Sequence, residues 1–198
     1  MTDSDRTAER ANHHSMTSTV VHFDDSRVFG GAEQAALHVL AGLDRRRWRP
    51  VLFHHAEPGV APMVDRARSL GVEVRSVPPV WTRAEARRGL LPFVRALRAE
   101  RPAVFHAHLT TEVGCKYGLI AAALARIPAV VGTVQLLFEV APSWRYDASQ
   151  RIVTACIDRY IAVSQAIARR LHVSKWRTAS RPHRRPNDAL RHRSAPRR

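Results

Sequence analysis

Thr19-Val20-Val21-His22-Phe23, a polar bend from Asp24 to Phe29, and Gly30-Gly31 leading into Ala32-Glu33-Gln34-Ala35-Ala36-Leu37-His38-Val39-Leu40 form the stretch that decides the fold. The first run reads as a short apolar strand and the last as an amphipathic helix. A strand, two glycines and a helix in that order let backbone amides approach a negative group at the positive end of the helix dipole. A diphosphate suits such a place best.

Outward from this unit the pattern repeats. Further strands are expected at Pro50–His54, Val72–Val77, Ala103–His106, Ala129–Thr133 and Tyr160–Val163. Helices are expected at Ala32–Leu43, Ala61–Leu70, Pro92–Glu100, Glu112–Arg126, within Tyr146–Ile157, and at Gln165–Leu171. Most strands are nearly continuous apolar runs, as when helices cover both faces of a parallel sheet. Gly71 and Pro128 supply stop signals, and Pro92 suits a first helical turn. The expected fold is α/β, a single Rossmann-like doubly wound parallel sheet. In its common strand order the first and fourth strands lie side by side, and ligands bind beyond their carboxyl ends. That rule selects the loops Asp24–Gly31 and His108–Gly114.

Three regions follow: a disordered N-terminus over residues 1–18, the α/β domain over 19–171, and a basic disordered tail over 172–198. The net charge of the 198 residues is +15, and the tail alone carries nine Lys/Arg against one acid, Asp188. The change of character after Leu171 is abrupt, and the tail reads as an aberrant end to a longer protein. Cys115 and Cys156 are too few for a disulfide framework, which points to a reducing cytoplasm. Met1 to Met16 lacks the apolar core of a signal peptide, and Arg126 and Pro128 interrupt the most apolar stretch, Gly118 to Val134.

With the elements placed, four segments together resemble family 4 glycosyltransferases of the GT-B type. They are Val20-Val21-His22-Phe23 with Phe29-Gly30-Gly31-Ala32-Glu33-Gln34; Arg101-Pro102-Ala103-Val104-Phe105-His106-Ala107-His108; Val130-Val131-Gly132-Thr133-Val134-Gln135; and Tyr160-Ile161-Ala162-Val163-Ser164. The resemblance covers about Val20 to Leu171 and corresponds to the N-terminal, acceptor-side half of that fold. It implies transfer of a sugar from a nucleotide-diphosphate donor, with retention of configuration, to a glycan, lipid or small-molecule acceptor. It also implies no cofactor and no structural metal, and a donor held mostly by a second lobe. Such a lobe's basic side chains and paired glutamates have no counterpart in these residues, so the chain alone is expected to be inactive. Gln135 stands where the family often carries histidine; it can bond a sugar hydroxyl but cannot hold a proton at neutral pH.

The candidate substrate-binding residues are Gly30, Gly31, His108 and Gln135, with His108 the best candidate for a catalytic base. Glu33 reads as a cap on the helix amides. His106 and His108, two apart on a strand, point the same way. No carboxylate or cysteine at ligand spacing completes a metal set around them, so no metal is expected. His54-His55 reads as a solvated strand edge and Asp24-Asp25 as a polar loop. Phe138 and Trp144 suit either an acceptor grip or core packing. Arginines from Arg83 to Arg101 surround Leu90, Leu91, Phe93, Val94 and Leu97, a basic amphipathic segment that suits peripheral contact with an anionic membrane.

Two other classes remain. A dinucleotide oxidoreductase would want G-x-G-x-x-G and an acid ending the second strand, and the chain has neither. A basic module could neutralise nucleic-acid phosphates with its tail, yet Trp176 is the tail's one aromatic, which disfavours stacking on bases.

Overall fold

The computed structural model describes residues 17–136 and 143–175. Six strands form one parallel sheet: β1 (Ser18–Asp24), β2 (Trp48–His55), β3 (Glu73–Val77), β4 (Val104–Leu109), β5 (Ala129–Val134) and β6 (Arg159–Ala162). Their spatial order is β3-β2-β1-β4-β5-β6, so the chain changes direction of winding between β1 and β4. The helices are α1 (Gly31–Gly42), α2 (Ala61–Ser69), α3 (Arg83–Glu100), α4 (Lys116–Ala125), α5 (Trp144–Cys156) and α6 (Gln165–Lys175). All six expected strands are present in the doubly wound arrangement.

Two cores lie on opposite faces of the sheet. On one, Val21, Phe23, Val51, Phe53, Phe105, Ala107 and Leu109 meet Phe93 and Leu97 of α3 and Leu119 of α4. On the other, Leu52 meets Leu37 and Leu40 of α1 and Met63 and Ala67 of α2. Helix α4 comes very close to β1 at Gly118, where a Cβ would stand 2.2 Å from the Phe23 ring. A third, smaller cluster joins Val134 to Ile167 and Leu171 of α6.

Several boundaries depart from the sequence reading, and α6 runs on to Lys175, into the region 172–198 expected as a disordered tail. Helix α3 starts nine residues before Pro92, at Arg83, because Thr82 and Glu85 form a capping box. The Thr82 hydroxyl accepts from the Glu85 amide at 3.2 Å, and the Glu85 carboxylate accepts from the Thr82 amide at 2.7 Å. Pro92 therefore sits inside the helix, on its exposed side, where its missing donor leaves the Arg88 carbonyl to solvent. Helix α4 starts at Lys116 rather than Glu112, since Cys115 adopts a left-handed φ of 54° that interrupts helical continuation. Strand β4 runs on to Leu109, which places His108 inside the strand rather than at the head of the following loop.

At the amino end of the sheet, Arg49 of β2 bonds Glu73 at 2.8 Å and Glu100 at 2.6 Å. Arg75 bonds the same two carboxylates at 2.7 and 3.1 Å. This closed ring fixes β2, β3 and the end of α3, far from the carboxyl ends where the loops of interest lie.

Candidate functional site

The carboxyl ends of β1 and β4 lie side by side, with Asp24 paired in register to His108 and His108 in turn to Thr133 of β5. The bend after β1 is held from several sides. Ser26 donates its amide to Asp24 at 2.8 Å, and its hydroxyl donates to Glu33. The Trp81 indole donates to the Asp25 carbonyl, and the Arg27 guanidinium lies 4.1 Å over the Trp81 ring. The Asp25 carboxylate accepts the Cys115 amide at 2.7 Å, which ties the β1 bend to the loop after β4. Asp24 is the buried last residue of β1 rather than part of a polar loop, and Asp25 begins the bend. Burial raises both carboxyls, that of Asp24 to about 7, with the neighbouring Glu33 adding to the effect there.

Gly30 and Gly31 are both exposed at the head of α1. Gly30 has φ −144° and ψ −155°, an extended conformation that other residues also adopt. What the glycines provide is room: a Cβ on Gly31 would meet nothing within 4 Å. The Gly30 amide is taken by Glu33, whose carboxylate accepts it at 2.6 Å. Glu33 is buried and caps the helix, as expected from the sequence. The amides of Gly31 and Ala32 belong to the first turn, which has no carbonyls one turn back to receive them. They form the edge that a ligand can approach.

Gln135 reaches this edge from β5. Its side-chain amide donates to the Ala32 carbonyl at 3.1 Å, and its backbone amide donates to the Leu109 carbonyl at 3.0 Å. Three of the four sequence candidates are therefore together. The fourth, His108, lies beneath them with 1% of its surface exposed. Its Nε2 is 3.0 Å from His22 Nδ1, and His106 sits beside both, with ring centroids 4.4 Å from His108 and 4.9 Å from His22. His106 Nε2 is also bonded to the Thr133 hydroxyl at 2.7 Å. Burial drives the His22 and His108 rings well below the ordinary histidine range and His106 to about 4, so all three are neutral.

His22 escaped the sequence reading because it is 86 residues from His108. The usable signal was its place in the middle of the first strand, which the expected neighbourhood of first and fourth strands sets opposite His106. His54 and His55 are buried, contrary to the solvated edge expected of them. His55 packs on Phe23 and Trp81, and His54 Nδ1 meets the His55 carbonyl at 2.7 Å. Trp144 is 75% exposed at the start of α5, not packed in the core, and Phe138 lies outside the described residues. No helix among the described residues is long and apolar enough to cross a membrane.

A parallel sheet ordered 3-2-1-4-5-6, with the exposed Gly30-Gly31 pair beyond its switch point between β1 and β4, defines a Rossmann-like lobe. The chain belongs to the family described as glycosyl transferase 4-like domain, whose model matches residues 30–188. The lobe resembles solved GT-B proteins. It aligns with HepE of Anabaena, determined with UDP and glucose, at TM-score 0.52 and 17% identity, over 75% of this chain and 39% of that one. The match to MurG of Acinetobacter baumannii has TM-score 0.53 and 12% identity, over 76% and 42%. A UDP-N-acetylglucosamine 2-epimerase of Neisseria meningitidis, bound to UDP-GlcNAc, gives TM-score 0.55 and 14% identity, over 78% and 43%. This chain spans about two fifths of the length of these proteins. No curated protein matches it.

Proposed function

We propose that this chain is the acceptor-side lobe of a retaining glycosyltransferase that uses a nucleotide-diphosphate sugar. The observation that carries the reading is the exposed Gly30-Gly31 edge, with Gln135 fixed to Ala32 beside it, at the mouth between β1 and β4. Gly31 and Ala32 would present amides to the donor diphosphate or the transferred sugar. Gln135 would hold a sugar hydroxyl. Closure of a second lobe over this edge would align the acceptor hydroxyl with the anomeric carbon, and the amides would stabilise the diphosphate as charge grows on it.

His108 enters this scheme as a support. Its neutral ring is held by His22 inside the β1–β4 strand pair, so it would act by fixing that pair. The acceptor is a glycan, lipid or small molecule met on the cytoplasmic side. For a membrane-held acceptor the contact surface would be α3, whose Phe93, Val94 and Leu97 turn inward while Arg87, Arg88, Leu91 and Arg95 face solvent. The contact would be chiefly electrostatic. Supporting the sugar-nucleotide reading over a dinucleotide one, β2 ends in buried His54 and His55 rather than in an acid that could bind a ribose.

Calorimetric titration with a panel of nucleotide sugars, combined with a product assay, tests the division of labour. The 198-residue chain should bind donors weakly and form no transfer product. Robust turnover by this chain alone would overturn the proposal.

A further inference from the structure

Three histidines on β1 and β4 form a buried cluster that sugar transfer does not require, whichever way the glycine edge is read. His22 of β1 and His106 and His108 of β4 are all buried, and each offers one nitrogen within 4.8 Å of those of the other two. His22 is the register partner of His106, so the three imidazoles form a compact triangle across a single strand pair. Nitrogens sharing a tetrahedral zinc at ~2.0–2.1 Å stand about 3.3 Å from one another. His22 Nδ1 and His108 Nε2 are already 3.0 Å apart.

Hydrogen bonding within the protein leaves this group incomplete. His22 Nε2 is buried with no hydrogen-bond partner, and so is Asp24 Oδ2 on the same face of β1. No carboxylate hydrogen-bonds any of the three rings among the described residues, so nothing there favours a charged imidazolium. Neutral imidazoles present lone pairs, which is the form that metals bind. The Thr133 hydroxyl fixes the His106 ring, the kind of outer contact that metal-bound histidines carry.

We propose that His22, His106 and His108 bind one divalent transition metal of the zinc class at a buried site that ties β1 to β4. Three imidazoles suit zinc, and cobalt(II) can replace it as a visible probe. The pair of histidines seen on one strand is completed by a residue of the neighbouring strand, which chain spacing conceals.

The test uses the full chain, stripped with chelator and refolded from urea in the presence of cobalt(II) or zinc(II), so that burial does not block entry. One equivalent of cobalt should bind with the strong visible bands of a tetrahedral site, and zinc should raise Tm. His106→Gln and His108→Gln should each weaken binding by at least about 100-fold. A His13→Ala/His14→Ala double variant should keep the full equivalent. Should the histidine variants fail to fold, imidazole nitrogen NMR of the unaltered chain decides the matter. Zinc should then shift the ring nitrogens of His22, His106 and His108 together. Absence of tetrahedral bands, binding lost with His13 and His14, or shifts confined to other histidines would overturn the proposal.

Discussion

The two faces of β1 and β4 are built on opposite principles. Val21, Phe23, Phe105, Ala107 and Leu109 point to one side, where α3 and α4 close an apolar core. His22, Asp24, His106 and His108 alternate with them and point to the other, where α1 covers a buried polar layer. The apolar face gains its stability from area removed from water and from close packing. The histidine face depends on each polar atom finding a partner, and a missing partner there costs more than a made bond contributes. One face resists change because it is full, the other because its contacts are mutually dependent.

The largest expected effect breaks the apolar face. Phe23 contacts the rings of Phe93 and Phe105 and lies against Gly118. Phe23→Ala should destabilise the chain by about 3–5 kcal/mol in urea unfolding. On the histidine face, His22→Leu in metal-free buffer strands His108 Nε2 and should cost about 1–3 kcal/mol. Adding His108→Leu should recover part of that loss, because a pair of apolar groups leaves no orphan. A double-mutant cycle measures the coupling, and simple additivity would refute the mutual dependence.

Acid sharpens the comparison further. Burial holds His54 and His55 below the ordinary histidine range, although their carbonyl contacts work against it. Folded, these rings bind fewer protons than they do unfolded, where their pKa is near 6.5. Stability from this source is complete above that value and declines as pH falls below about 6.5 towards the lowered folded-state values. Thermal melts across that window should show the decline, and His55→Phe should reduce it. The smallest effect concerns the helix that covers the apolar face: Thr82→Ala removes the α3 cap and should cost about 1 kcal/mol.

Much of this was legible in the sequence, for identifiable reasons. Strand order followed from alternating β and α patterns, and the glycine edge followed from its place between the first strand and the first helix. Gln135 was recognisable by its place after β5. Boundaries set by side-chain bonds were harder to read: the Thr82–Glu85 box moved the start of α3, and the turn at Cys115 moved that of α4. The histidine layer was concealed because it depends on register between strands far apart in the chain. The His106–His108 alternation was readable within one strand, but pairing β1 with β4 was needed to set His22 and Asp24 beside it.

The central claim is that the first-turn amides of α1 face a phosphorylated sugar. Amide-resolved NMR of the chain, titrated with UDP-glucose to millimolar concentration, tests this most directly. The largest shifts are expected at the Gly31 and Ala32 amides and at the Gln135 side chain, with Val21 and Phe105 unmoved. Shifts centred on β6 or α6, or none at the glycine edge at saturating ligand, would contradict it.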